Sequence, residues 1–331
     1  MSLKAIGHIK YPLLLFTTSI FICLIFSQDR ITSAKEIYKY IGGIILLVFT
    51  ASLPTSEKNR VISYLVNVGL IISLLAIYQY TFGFSHLVNY TGKKEITDLF
   101  TLDYISRRRP FLPFVTPNLL GGYLAMIIPL GLIYKKKIWI VIPIAVALVL
   151  TASLGALLSL LVGLILYFYL KGGLNQKSIV PIFVILAIIS LVFIFRSSAQ
   201  KYHTQPIFST LMRLNYWQDS LKIIKKYPLI GVGLGNFNLA NSRYAHNSYL
   251  QLWAEMGVLG IIAFLWLVVA ILKYNLERLK NHNRTTYIPL ITSVVIFLVH
   301  NLIDFSFFLA EISFVWWVVM GLGLEDSYKD A

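Results

Sequence analysis

The chain has 331 residues, of which 57% are hydrophobic and 13% are charged, and its formal net charge at pH 7 is +15. Average soluble domains have about 25% charged residues, and the apolar residues here form long blocks, so an ordinary soluble globular protein is excluded. The single cysteine, Cys23, excludes an intramolecular disulfide and a cysteine-based metal cage.

Ten apolar segments are predicted to be membrane spans, and the fifth is short enough to form a tight hairpin with the sixth. They run approximately over 12–27, 37–53, 61–82, 114–134, 138–151, 153–170, 179–195, 246–272, 286–304 and 310–324. No small-x-small cleavage motif follows the first segment, so we interpret it as an uncleaved span. The sequence therefore predicts an all-α polytopic membrane protein, with residues 1–331 in a single integral membrane domain.

Lysine and arginine are concentrated in alternate short connections between the predicted spans, which indicates the cytoplasmic side. The short connections on the opposite side contain few basic residues, namely Arg30, Lys35 and Lys39. This bias predicts that both termini are cytoplasmic. It also explains the net charge through orientation and anionic headgroups, so we expect membrane lipids as partners and no nucleic acid.

Two long loops, 83–113 and 196–245, are predicted to lie on the outer face. The first contains the basic run Arg107–Arg109, and the second contains seven lysines and arginines, including Arg213 and Arg243. Long loops cross membranes despite such charge. Their positive charge indicates that an anionic group is bound on the outer side.

The second loop contains "STLMRLNYWQDSLKIIKKYPLIGVGLGNF", in which apolar residues recur at helical spacing. Pro228 ends this pattern, so the stretch before it predicts an amphipathic helix in the outer interface. The alternative is a helix that only packs over the bundle. The following "GVGLG" lacks the spacing of a dinucleotide fingerprint. It is either a simple chain reversal or a turn whose N–H groups face an anion.

The next stretch, "YAHNSYLQLWAEMGVLG", leads into an apolar span but has polar residues at its start. Asn247, Gln251 and Glu255 recur every four residues and so share one helix face. A carboxylate within a span is costly, so Glu255 is expected to face a cavity or a partner. His246 precedes this stripe, where it is either a general base or orienting group for a hydroxyl, or a capping residue near headgroups.

A second polar pair occurs in "HNLIDF", where His300 and Asp304 are four residues apart. They are interpreted either as a hydrogen-bonded pair that joins two helices or, for Asp304, as a supporting member of a site. Apart from this pair, no two histidines occur at ligand spacing with a nearby carboxylate, so no metal site is predicted.

Several of these motifs resemble those of the O-antigen ligase and polymerase superfamily. "RLNYWQDSLKIIKKYPLIGVGLGNF" and "AHNSYLQLWAEMGVLG" are similar to its periplasmic-loop signature. "PFVTPNLLGGYLAMIIPL" is similar to its Pro-Asn span, "TASLGALLSLLVGLILY" to its Ser-Arg-Gly-Ala span, and "HNLIDFSF" to the region of its closing Asp. The resemblance covers residues 70–324.

This resemblance implies a GT-C-like fold in the bacterial cytoplasmic (inner) membrane, with an active site on the outer face. It implies glycan transfer from an undecaprenyl diphosphate donor to a hydroxyl of lipid A core, another glycan or a protein, without a metal or cofactor. Ligase-type transfer is favoured over a repeat-unit polymerase. From another class, a lipid-linked glycan transporter or a non-catalytic binding protein is the alternative.

The resemblance also implies roles for individual residues. Arg213 matches the loop arginine expected to bind the diphosphate, and His246 matches the histidine expected to orient or deprotonate the acceptor. The remaining candidates are Arg109 and Arg243 for the diphosphate, with Asn247 and Asp304 in support.

One position departs from the family pattern. Leu154 stands where the family has an arginine that is thought to bind the diphosphate. Three explanations are open: Arg107–Arg109 or Arg196 replaces it, the donor is bound differently, or the protein is catalytically impaired.

Overall fold

The computed structural model describes residues 3–94, 105–198, 208–239, 242–279 and 284–324. Over these residues the regular structure is helical, and the one β-type pairing is an isolated bridge between Leu239 and Ser242. The α-helices in chain order, numbered α1 to α12, are Lys10–Ile25, Arg30–Ala51, Thr55–Tyr78, Phe84–Lys93, Pro117–Gly131, Val141–Leu150, Leu154–Gly172, Gln176–Ser198, Phe208–Lys226, Ser248–Arg278, Arg284–His300 and Ala310–Leu322.

Each predicted span overlaps one of these helices, which confirms the all-α class for the described residues. Five helical stretches are long and apolar enough to cross a membrane: Ile6–Ile25, Thr55–Lys93, Leu154–Gly172, Ser178–Phe195 and Ser248–Arg278. Four further apolar helices are shorter, so the count of ten spans stays a prediction, as does the GT-C-like arrangement. The predicted amphipathic helix is α9, which ends at Lys226, just before Pro228.

The first long loop begins later than the sequence predicts. Helix α3 continues through a π-helical turn, Gln79–Gly83, into α4, so the chain is helical as far as Lys93. The sequence "TFGFSHLVNYTGK" mixes glycine and polar residues, which is why it resembles a loop, but its apolar residues share one helix face. Residues 95–104 of the predicted loop lie outside the described residues.

The chain divides into two compact units. Unit 1 comprises Met1–Val61, Ser209–Val294 and Asn301–Ala331, and unit 2 comprises Ile62–Phe208 and Val295–His300. In unit 1, α12 packs along α2 and α1 packs along α10, around buried Trp316, Trp317 and Phe16. In unit 2, α5 is buried along nearly all its length and packs against α6 and α7. The prediction of a single domain stays a prediction.

Helix α10 is interrupted at Gly257, where φ is +64° and ψ is −171°. The interruption leaves backbone groups without helical partners, and residues 228–233 bind them. Val232 N donates to Ala254 O (2.9 Å), Gly233 N donates to Glu255 O (2.9 Å), and Val258 N donates to Pro228 O (2.9 Å). Irregular backbone within a span is tolerated where protein covers it, and this loop provides the cover.

Candidate active site

The turn before α10 holds His246 in an unusual backbone conformation. Its φ is +51°, in the left-handed region that non-glycine residues rarely adopt. The next residue, Asn247, is the N-cap, and its Oδ1 accepts hydrogen bonds from Tyr249 N (3.0 Å) and Leu250 N (3.1 Å). Such strain costs about 1–3 kcal/mol and persists where the surroundings enforce it, often at functional sites.

Aromatic rings fix the imidazole of His246. Tyr216 stacks on it, with the ring centroids 5.7 Å apart, and Phe305 meets it edge-on at 4.9 Å. Tyr244 in turn stacks on Phe305 at 4.1 Å. Within the described residues, the buried Nδ1 of His246 has no hydrogen-bond partner. Ring contacts with Tyr216 and Phe305 therefore hold this imidazole in place.

Arg213 and Asp304 are the charged neighbours of His246. Burial lowers the pKa of Arg213, and the Asp304 carboxylate raises it. Burial also lowers the pKa of His246; Asp304 opposes this shift and the positive charge of Arg213 adds to it. The net effect is a pKa below the ordinary value of histidine, which favours the neutral imidazole. Among the described residues, Arg213 makes no hydrogen bond or close ion pair, and Asp304 is the charged group that acts on its pKa.

Asp304 is buried, and local hydrogen bonds fix its carboxylate. Its Oδ1 accepts from Phe305 N (2.7 Å) and from Ser306 Oγ (3.1 Å). The structure thus brings together three predicted site residues: Arg213 from α9, His246 from the turn before α10, and Asp304 from the segment after α11. His300 belongs to unit 2, where its ring fills the space beside Gly122 of α5.

The polar stripe of α10 binds the glycine-rich turn. Glu255 is buried, and its carboxylate accepts from Gln251 Nε2 (2.9 Å) and from Gly235 N (2.9 Å). The prediction that Glu255 has a partner is confirmed. One N–H of the "GVGLG" turn does face an acidic group, and that group is the protein's own Glu255. Glycine is required at Gly233, because φ is +100° and a Cβ would overlap Ser27.

Arg243 is exposed and lies near the end of the second long loop, 196–245. Its Nη2 donates to Glu36 Oε1 over 3.1 Å, and the Glu36 carboxylate also pairs with Lys39. This exposed guanidinium is therefore paired with a carboxylate in the structure.

In unit 2, Arg109 lies near the start of α7. Its Nε donates to Thr151 O (2.7 Å) and its Nη2 donates to Asn118 Oδ1 (2.8 Å). Thr151 precedes the N-cap Ser153 by two residues, and Leu154 is the first residue of the helix. Arg109 therefore brings a guanidinium to the end of α7 at which Leu154 lacks one. The side chain of Arg196 lies outside the described residues.

Sequence reasoning missed three residues of this site. Tyr216 stacks on the imidazole, Phe305 meets it edge-on, and Asn301 binds Ser248 at the start of α10. All three lie inside the quoted motifs, but side-chain chemistry alone does not tell a site residue from a packing residue. Among the described residues no group of three or more His, Cys, Asp or Glu is arranged to hold a metal ion. The expectation of a metal-free site stays a prediction.

Comparisons with known proteins show which protein family this chain resembles. Residues 139–265 match a protein-family model described as O-antigen ligase. An uncharacterized protein of Haemophilus influenzae is 24% identical over 229 residues, which covers 55% of this chain and 57% of that relative. The chain thus spans little more than half the length of the curated relative it matches. The family match confirms the resemblance inferred from the motifs, and the matched stretch contains Arg213 and His246.

Proposed function

We propose that this chain, whose residues 139–265 match the O-antigen ligase family, is a multi-pass membrane glycosyltransferase of ligase type. The family indicates a ligase- or polymerase-type function in a bacterial membrane. The finer proposal is transfer of a glycan from undecaprenyl diphosphate to an acceptor hydroxyl on the outer face of the cytoplasmic membrane. One observation carries it: Arg213, without a hydrogen-bond partner among the described residues, lies beside His246 and buried Asp304.

In the proposed reaction, the acceptor oxygen attacks the anomeric carbon of the donor sugar. The bond from that carbon to the diphosphate oxygen breaks, and its electron pair leaves with the diphosphate. The hydroxyl proton passes to the neutral imidazole of His246, which is the protonation state a general base needs. The guanidinium of Arg213 binds the diphosphate and stabilises its growing charge, since arginine binds phosphate bidentately and keeps its proton.

Asp304 and Asn247 have supporting roles in this proposal. The Asp304 carboxylate stabilises the imidazolium that forms when His246 accepts the proton, because opposite charges nearby favour the protonated form. Asn247 caps α10 and so fixes the end of the helix next to His246.

Arg109 is proposed as a further anion ligand, and this proposal is argued from unit 2 alone. It supplies a cation at the start of α7, where Leu154 supplies none. We therefore favour replacement by Arg109 over catalytic impairment. Arg243 would have to exchange Glu36 for a phosphate, so its contribution to donor binding is expected to be smaller than that of Arg213.

The experiment is deletion of the gene in its host, followed by a surface-glycan gel and mass spectrometry of the undecaprenyl-linked pool. Long polymer left on the carrier, with unmodified acceptor, would support the ligase. Single repeat units, on the carrier or on the acceptor, would replace it with a polymerase. A donor pool confined to the inner leaflet would indicate a transporter.

Complementation with point variants tests the chemistry. His246→Ala should abolish product while the protein remains at normal abundance, whereas a transporter should tolerate the change. His86→Ala is the matched control, because His86 is an exposed histidine on α4. Full activity of His246→Ala would contradict the proposed role.

A further inference from the structure

The start of α10 is bound to the segment after α11 by a set of buried hydrogen bonds. Ser248 N donates to Asn301 O (2.9 Å), and Ser248 Oγ donates to Asn301 Oδ1 (2.6 Å) and lies 3.1 Å from Asp304 O. The same Asn301 Oδ1 accepts from Phe307 N (2.9 Å). Ser248 and Asn301 are only 4% and 2% exposed, so water does not compete for these bonds.

These bonds join the two short segments that carry the candidate catalytic groups. Ser248 comes two residues after His246, and Asn301 comes three residues before Asp304. The segment after Asn301 also provides Phe305, whose edge contacts the imidazole. Ser248 and Asn301 therefore link the segment that carries the imidazole to the segment that carries the carboxylate.

Helix capping alone does not account for this arrangement. Asn247 already caps α10 by accepting from Tyr249 N and Leu250 N. The N–H of Ser248, in the first turn, has no partner within its own helix and finds one 53 residues away in Asn301. The hydroxyl adds a second bond to the same residue, which fixes direction as well as distance.

We propose that Ser248 and Asn301 are a positioning pair that holds His246 in register with Asp304. The inference rests on the proposed function, because in it the role of the pair is to orient the catalytic imidazole of His246. Displacing a catalytic group by about 1 Å costs up to 100-fold in rate. Ser248→Ala is accordingly expected to lower kcat by about 10- to 100-fold, with little change in the KM of the donor.

The test uses the full-length protein in lipid nanodiscs and needs no substrate. Diethyl pyrocarbonate modifies neutral imidazole, and mass spectrometry reports the modification rate of each histidine as a function of pH. In Ser248→Ala the His246 profile should shift to lower pH, because the imidazole moves away from the carboxylate that favours its protonation. Profiles of the other histidines should not move.

Two variants separate positioning from general destabilisation. Ser248→Thr retains the hydroxyl and should restore both the His246 profile and kcat. Ser19→Ala removes an equally buried hydroxyl in α1 whose bond, to Phe16 O, stays within its helix, and it should change neither. If Ser248→Ala does not fold, Ser248→Cys, with a weaker donor of similar size, should show the same shifts at smaller amplitude.

The outcomes distinguish the inference from the proposed function. Folded Ser248 variants with an unchanged His246 profile and unchanged kcat would overturn the positioning pair. A shifted His246 profile together with full activity of His246→Ala would overturn the catalytic role of His246 and leave the structural link in place.

Discussion

Arg213 and His246 share the Asp304 carboxylate as a neighbour, but different forces hold them. Aromatic contacts fix the imidazole, whereas the guanidinium makes no hydrogen bond within the described residues. A half-buried guanidinium that lacks a close partner has lost part of its hydration without full compensation. Binding of an anion would restore that compensation, and this is the physical basis for assigning Arg213 to the donor.

Arg213→Ala is expected to weaken binding of the diphosphate donor by about 10- to 100-fold, the usual loss for a hydrogen bond to a charged group. Lys222→Ala is the matched control, because Lys222 lies on the same helix but is 77% exposed and paired with Asp219. The measurement is the donor KM or dissociation constant at two salt concentrations. Equal losses from both variants would leave only a general attraction to headgroups, which salt screens.

The reaction should lose activity at acidic pH with a midpoint below about 6.5, the ordinary pKa of histidine. Burial lowers the pKa of His246, so the neutral base persists to a lower pH, and protonation below the pKa removes it. The groups that face the imidazole of His246 are Arg213 and Tyr216 of α9 and Asp304.

Removing the carboxylate in Asp304→Asn eliminates the interaction that raises the pKa of His246, so the acidic limb of kcat/KM should move to a still lower pH. Asp219→Asn, at an exposed site, should not move it; a shift to higher pH in Asp304→Asn would contradict this electrostatic assignment.

The residues identified from sequence were those with distinctive chemistry at distinctive spacing. His246 and Asn247 precede an apolar run, and Gln251 and Glu255 repeat on one helix face, so their proximity followed from helix geometry. The proximity of Asp304 to His246 could not be predicted in this way. The two residues are 58 positions apart in the sequence, and no local pattern encodes a contact between them. Its proximity depends on tertiary packing.

At the scale of elements, the glycine-rich turn and the interrupted helix α10 are joined by hydrogen bonds into one structural unit. The turn supplies partners for the backbone at the interruption, and Gly235 N binds the Glu255 carboxylate. Sequence spacing located α9 and α10 well, because amphipathic and apolar periods are local signals. It ended the helical stretch that begins with α3 too early, at residue 82 instead of Lys93, because glycine and polar residues in a membrane helix resemble a loop when tertiary contacts are unknown.

Gly257→Ala is expected to destabilise the protein strongly and reduce its yield. The φ and ψ values of Gly257 are accessible essentially to glycine alone, and a Cβ would overlap the Leu229 carbonyl. Gly92→Ala is the matched control, since Gly92 lies on α4 with open space around its Cβ position. Thermal unfolding in detergent should show a lower Tm for Gly257→Ala and no loss for Gly92→Ala. Equal Tm values would show that the interruption is not required.

For the whole molecule, composition was a better guide to the membrane-protein class than to the number of membrane spans. Long apolar blocks indicate a membrane protein whatever their arrangement. The helical structure of the described residues agrees with this class. The number of spans depends on which shorter helices cross the bilayer, and several of them have fewer residues than the 20 or so that a span usually needs. Helix length alone does not decide this, because tilt and local bilayer thickness also contribute.

The orientation can be tested with single cysteines in a Cys23→Ala background. Both termini and the connection before α3 are predicted to be cytoplasmic, and α9 is predicted to lie outside. A membrane-impermeant maleimide added to intact cells (spheroplasts for a two-membrane host) should label Lys222→Cys, at an exposed site on α9. It should label Ser56→Cys and Lys273→Cys, both exposed, only after the membrane is permeabilised. Labelling of Ser56→Cys in the intact preparation would reverse the predicted topology.

The interruption at Gly257 also bears on how the protein is made. Residues 228–233 are synthesised before Ala254, Glu255 and Val258, so the groups that cover the interruption already exist when it leaves the ribosome. A chain from which residues 228–233 are deleted would place α10 in lipid with uncovered peptide groups, each costing several kcal/mol. The first half of α10 is thus a poor insertion signal by itself, while the apolar stretch after Gly257 is a good one. We therefore expect α10 to insert less efficiently from a chain that lacks residues 228–233.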